Sequence, residues 1–232
     1  SVEICSAGDL RQAAVDRVFT GAGGHLLLDP KNIVIGTVDD VESWQYAAIL
    51  GAVYANDSNP GTFADAIGAS IDTSDAFGVS VAMNAAGDRM AIGASGDDGA
   101  GNVVLNMGAV YLFSFADSSF SGGTLKGIIG KGYTGGGNID VGLSGADAFG
   151  TSVALNAAGD RLAVGAVGDD GFGESTSAAG AVYLFTFADS NFSGGTHVGT
   201  IGKDYAGAGD FNLAPLETDD SFGRSVSLNA AG

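Results

Sequence analysis

Residues 108–124 read GAVYLFSFADSSFSGGT and residues 180–196 read GAVYLFTFADSNFSGGT, two differences in seventeen positions. The same offset of 72 relates NAAGDRMAIGASGDDG at 84–99 to NAAGDRLAVGAVGDDG at 156–171. A repeat of this length is one supersecondary unit, and a single unit cannot bury its own apolar face. Whatever the chain folds into must therefore stack like on like. A third copy opens at Asp220, Ser221, Phe222 and Gly223 and reaches only Asn229 to Gly232. That predicts a piece of a longer array.

Each unit parses into four strands. Val79, Val81 and Met83 alternate with Ser80, Ala82 and Asn84, the period of a half-buried strand. The NAAGD segment supplies a glycine turn, and Arg89 to Ala94 resume a strand, so the first two strands read as a hairpin. A third strand runs from Ala109 to Phe115, rich in β-branched and aromatic residues, and a fourth from Thr124 to Gly130. Four consecutive antiparallel strands are the content of one propeller blade. The expected fold is all-β, with four-stranded antiparallel propeller-like blades in tandem. A β-helix or a linear array of sheets is the alternative.

The expected boundaries are an N-terminal β segment at 1–38, a divergent fourth strand with linker at 39–74, full repeats at 75–146 and 147–219, and the start of a third at 220–232. The first segment is read as the end of a β-helix or as a cap. Residues 44–54 fit the fourth strand of an earlier unit, because Gly51 precedes Tyr54 by three as Gly130 precedes Tyr133 and Gly202 precedes Tyr205. The glycine after phenylalanine in each unit, Gly78, Gly150 and Gly223, predicts a positive φ or a close neighbour.

With 40 Gly and 3 Pro, short strands and glycine turns are favoured over a helical solenoid. The charge of −18 disfavours nucleic acid and anionic lipid as partners. Cys5 is the single cysteine, so no intrachain disulfide forms. No segment approaches the roughly 18 to 20 apolar residues of a membrane span, and an export signal, if the protein is exported, is expected outside this sequence.

Four carboxylates are the candidate metal ligands. Asp97 and Asp98, with Asp169 and Asp170, occupy matched Gly-Asp-Asp-Gly turns, where carboxylates and backbone carbonyls together suit calcium. The competing reading makes them ordinary turn formers. No cofactor is otherwise expected. Gly130 to Gly135 satisfy G-x-G-x-x-G, but no helix follows to carry a dinucleotide. His25 and His197 stand apart, and G-x-S-x-G is absent, so no enzyme is expected. Tyr111, Phe113 and Phe115, repeated as Tyr183, Phe185 and Phe187, are read as core between blades, with a sugar-stacking surface as the alternative.

Asp147-Ala148-Phe149-Gly150-Thr151-Ser152-Val153-Ala154, then Arg161-Leu162-Ala163-Val164-Gly165-Ala166, then Gly180-Ala181-Val182-Tyr183-Leu184-Phe185, resembles the FG-GAP repeat of integrin-α-type β-propellers. The likeness covers roughly residues 75–232. That family often carries an Asp-rich calcium turn between its first two strands. Here the turn is Asn84-Ala85-Ala86-Gly87-Asp88, whose alanines offer no side-chain oxygen, so that site is not carried over. Separately, Gly24 to Ile33, with its Leu26-Leu27-Leu28-Asp29-Pro30-Lys31-Asn32 core, is similar to segments of filamentous-haemagglutinin-like bacterial exoproteins. Together the resemblances imply a repeat region of a large secreted or cell-surface adhesin. Its partners would be copies of itself or neighbouring repeats, and a surface glycan or protein; the alternative is a cation-dependent ligand-binding propeller.

Overall fold

A computed structural model describes residues 19–20, 26–27 and 71–232 apart from residue 73. The chain divides into two compact units, residues 1–45 and 46–232. Within the first, β1 (Phe19–Thr20) and β2 (Leu26–Leu27) pair antiparallel. That is hairpin geometry, where β-helix coils would stack parallel. The rest of 1–38 and the expected strand at 44–54 lie outside the described residues.

The second unit is all-β and holds two five-stranded sheets. The first is β3 (Phe77–Met83), β4 (Arg89–Ala94), β5 (Ala109–Ser114), β6 (Thr124–Gly130) and β7 (Ile139–Asp140), in that spatial order. The second is β8 (Phe149–Leu155), β9 (Arg161–Ala166), β10 (Ala181–Thr186), β11 (Thr196–Gly202) and β12 (Phe211–Asn212). In each sheet four strands meander antiparallel, and the short fifth strand joins parallel to the fourth. These are the expected blades, with one small strand more.

Glycine turns close each hairpin. Gly87 and Gly159 sit at φ +72° and +80° in the NAAGD turns, where an L side chain would be strained. The β-branched and aromatic third strand is buried along its whole length in the first blade. Its alternation sends Val110 and Leu112 into the core shared with the second blade, and Tyr111 and Phe113 into a core on the opposite face. In the second blade Phe149, Tyr183, Phe185 and Phe187 join that shared core, so these aromatics fill the space between blades.

The contact between blades explains the conserved offset. Gly150 and Gly223 take φ +88° and +85° and drop their backbone onto the preceding blade. A Cβ on Gly93 would sit 1.9 Å from the Gly150 carbonyl oxygen, and one on Gly165 would sit 1.9 Å from that of Gly223. Phe149 bridges Gly108 and Phe222 bridges Gly180 in parallel. The Val153 N–H donates to Ser80 Oγ at 3.0 Å, and Ser152 Oγ donates to the Gly223 carbonyl at 2.7 Å. The third unit thus enters its neighbour's surface as the second does. Beyond that bridge, residues 223–232 form no strand.

Candidate functional site

The acidic loops between the second and third strands are the most elaborate polar feature of each blade. A hairpin crossover leaves β4 at Ala94 and must re-enter at Gly108, and the Asp97 carbonyl accepts the Gly108 N–H at 2.8 Å to close it. Asp97 is buried. Its Oδ1 accepts the Gly99 N–H at 2.8 Å, its Oδ2 accepts the Tyr111 hydroxyl at 2.7 Å, and the Tyr133 hydroxyl reaches both oxygens at 3.0 and 3.1 Å. Asp169 repeats the arrangement with Gly171 at 2.8 Å, Tyr183 at 2.7 Å and Tyr205 at 3.2 and 2.9 Å.

Asp98 turns elsewhere. Its Oδ1 accepts the Asn106 N–H at 2.7 Å, and Asp170 Oδ1 accepts that of Ala178 at 2.6 Å. These bonds hold the far side of the loop, where Asn106 and Ala178 adopt positive φ. The two carboxylates of a pair therefore do not face one ion. Calcium takes six to eight oxygens, and among the described residues no group of three or more His, Cys, Asp or Glu gathers to supply them. Asp97, Asp98, Asp169 and Asp170 each clamp their own loop by accepting its N–H groups.

A second carboxylate closes the turn before the first strand of each unit. Asp75 Oδ2 accepts the Asp72 N–H at 2.7 Å, Asp147 Oδ2 that of Ser144 at 2.7 Å, and Asp220 Oδ2 that of Glu217 at 2.8 Å. The Gly96 N–H donates to the Asp75 carbonyl at 3.0 Å, which ties this turn to the Asp97 loop. Asp75 is 2% exposed and its Oδ1 has no hydrogen-bond partner. Burial pushes the Asp75 carboxyl up to about 6, with the Asp97 charge adding to it, and pushes that of Asp147 up to about 7. Burial also raises Asp97, against the pull of the Tyr111, Gly99 and Tyr133 donors. Tyr111 and Tyr183 are driven far above the ordinary phenol range, by burial first and then by the Asp97 and Asp169 charges, so both stay protonated and act as donors.

The tyrosines belong to this site, although the sequence reads Tyr111 and Tyr183 as core, with sugar stacking as the alternative, and Tyr133 and Tyr205 only as markers of the repeat frame. The signal was present: Tyr111 and Tyr133 follow Asp97 by 14 and 36 residues, and Tyr183 and Tyr205 follow Asp169 by the same spacings. His197 stacks beside Tyr183 and Phe185, with ring centroids 5.5 and 5.3 Å away, and burial lowers its pKa. His197 Nε2 also lies 3.1 Å from the hydroxyl of Thr200, which is buried. What the arrangement does chemically is hold loop backbone by fixed, buried hydrogen bonds.

Two segments, residues 68–113 and 142–185, match the FG-GAP repeat family. Each match spans the first two strands of a blade and most of the third. One matched segment falls in each blade, so each blade contains an FG-GAP-like stretch. Among curated proteins, none matches the chain.

Proposed function

We propose that these blades form a structural and adhesive repeat region, part of a larger bacterial surface or secreted protein, that assembles through the same contact joining the two blades here. One comparison carries the reading. Val153 on β8 is 7% exposed because the first blade covers it, whereas its repeat equivalent Val81 on β3 is 53% exposed. Val79 beside it is 50% exposed. Covering a valine is favourable by about 1.5–3 kcal/mol, and the chemistry of the cover is already known from the interface within the chain. A blade presenting glycines in the positions of Gly93 and Gly108 fits this face. Phe222 and Gly223 pack on Gly180 and Gly165 of the second blade in the same way, so the contact recurs along the array.

Head-to-tail contacts of this kind generate rings or open fibres. Location outside the cell is supported by the resemblance of residues 24–33 to bacterial exoproteins.

Sedimentation velocity across micromolar concentrations tests the reading. The wild-type chain is expected to associate with concentration, and Val81→Asp, which places a charge in the exposed face, is expected to remain monomeric while folded. A folded wild-type monomer throughout that range would overturn assembly between copies.

A further inference from the structure

A groove of about 420 Å³ runs between the two blades, away from the acidic loops. One wall is Lys126 on β6 with residues 136–139, and the other is the β10–β11 turn at 191–195. Its volume falls within the roughly 300–1,000 Å³ of small-ligand sites. Both walls are fixed. Asp189 Oδ1 accepts the N–H groups of Asn191 at 2.8 Å and Ser193 at 3.2 Å, and Arg89 Nε donates across the blades to the Ser190 carbonyl at 2.6 Å. Gly195 lets the walls meet, since a Cβ there would stand 2.7 Å from Ile139 Cδ1.

Duplication shows which groups in the groove are special. At the 72-residue offset Lys126 corresponds to Val198, Asn138 to Asp210, and Asn191 to Ser119. Asn138 and Asp210 do the same structural work, accepting the Ile128 and Thr200 N–H groups, each at 2.8 Å. Asn138 therefore keeps the hydrogen bond and drops the charge. Lys126 adds a positive charge where the other blade has an alkyl group. In a chain with 27 acidic and 9 basic residues, both changes move this one groove toward accepting an anion. The Lys126 ammonium makes no hydrogen bond or ion pair among the described residues, and the Asn191 carboxamide makes none either. One cation and one amide, which both donates and accepts, line the same polar groove.

The geometry points to a binding site for an acidic sugar, its carboxylate held by Lys126 and its ring hydroxyls by Asn191 and Ser193. The groove is complete within one chain and does not depend on assembly. Long-range repulsion from the molecule's net charge is screened over about 8 Å at physiological salt, so the local cation decides. A single exposed charge-assisted contact with a few hydrogen bonds places the affinity in the range of about 1–10 mM.

Titration of the full chain with glucuronate, followed by amide NMR shifts, tests the assignment. Lys126→Val and Asn191→Ser install the residues that the other blade already carries, so both variants are expected to keep the fold, checked by their melting temperatures. Saturable shifts at the groove are expected with glucuronate and not with glucose or acetate. Lys126→Val is expected to weaken binding at least about tenfold, Asn191→Ser several-fold, and Lys126→Arg to retain it. No saturation in the wild type, equal binding by Lys126→Val, or equal binding of glucose or acetate would each overturn the proposal.

Discussion

Gly165 separates two reasons for a glycine that sequence alone merges. Its backbone is ordinary strand, so no conformational freedom is needed, yet a Cβ would collide with the Gly223 carbonyl at 1.9 Å. Gly101 is the reverse, with φ +88° and nothing within 4 Å. Gly165→Ala must push the third unit off the second blade, an overpacking cost of about 3 kcal/mol or more. Gly101→Ala carries only backbone strain, about 1 kcal/mol. Denaturant unfolding of the two variants measures both, and a smaller loss in Gly165→Ala than in Gly101→Ala would remove close approach as the explanation. Gly78, Gly150 and Gly223 combine the two causes in different proportions. All three have positive φ, but among the described residues only the latter two meet a neighbour. The expectation from sequence holds at every copy for the backbone, and for the close approach only where the preceding blade is described.

The hairpin turns are held by one carboxamide each. Asn156 Oδ1 accepts N–H groups from Gly159, Asp160 and Arg161 at 2.9, 3.0 and 3.1 Å, and its Nδ2 donates to Asp160 Oδ1 at 2.8 Å. Asn84 does the same for Asp88 and Arg89. One carboxamide thus supplies an acceptor for the turn's amides and a donor for its carboxylate. Melting temperatures with and without a chelator are expected to agree, and a fall of more than about 10 °C, several kcal/mol at this size, would show that a bound cation holds the turns. These strands were legible in the sequence because alternation and glycine turns are local: the expected fourth strand, Thr124 to Gly130, is β6 to the residue. The parallel strands β7 and β12 were not, since two residues carry no alternation. From Phe222 onward the structure has only the isolated bridge to Gly180 in place of the expected strand. Half of the candidate site was legible. Asp97 and Asp98 stood out as a pair, but their divergence, and the tyrosines that claim Asp97, depend on contacts 14 and 36 residues away.

At the scale of the whole molecule the buried carboxylates make stability a function of pH. Asp75 and Asp147 titrate near 6 and 7 in the folded chain, against about 3.9 when unfolded. Between these values the native state binds more protons than the unfolded state, so stability falls as pH rises. The contribution is fully present below about pH 4 and is lost as pH passes through 6 to 7. The net charge of −18 acts in the same direction, since neutralising carboxylates relieves self-repulsion. Below about pH 4 the trend reverses, because hydrogen bonds from Ser119 and Ser121 hold Asp117 down to about 2 and those from Ser193 and Asn191 lower Asp189. Stability is therefore expected to peak at about pH 4 and to decline toward pH 8. Removing two buried charges is worth a few kcal/mol, about 5–10 °C in melting temperature for a chain of this size. The variant Asp75→Asn with Asp147→Asn separates the causes, since it deletes two titrations while leaving most of the surface charge in place. Its melting curve is expected to be flatter between pH 5 and 8 and to lie above the wild type at pH 8. An unchanged slope in the double variant would assign the whole effect to net charge and leave the buried pair without a role in it.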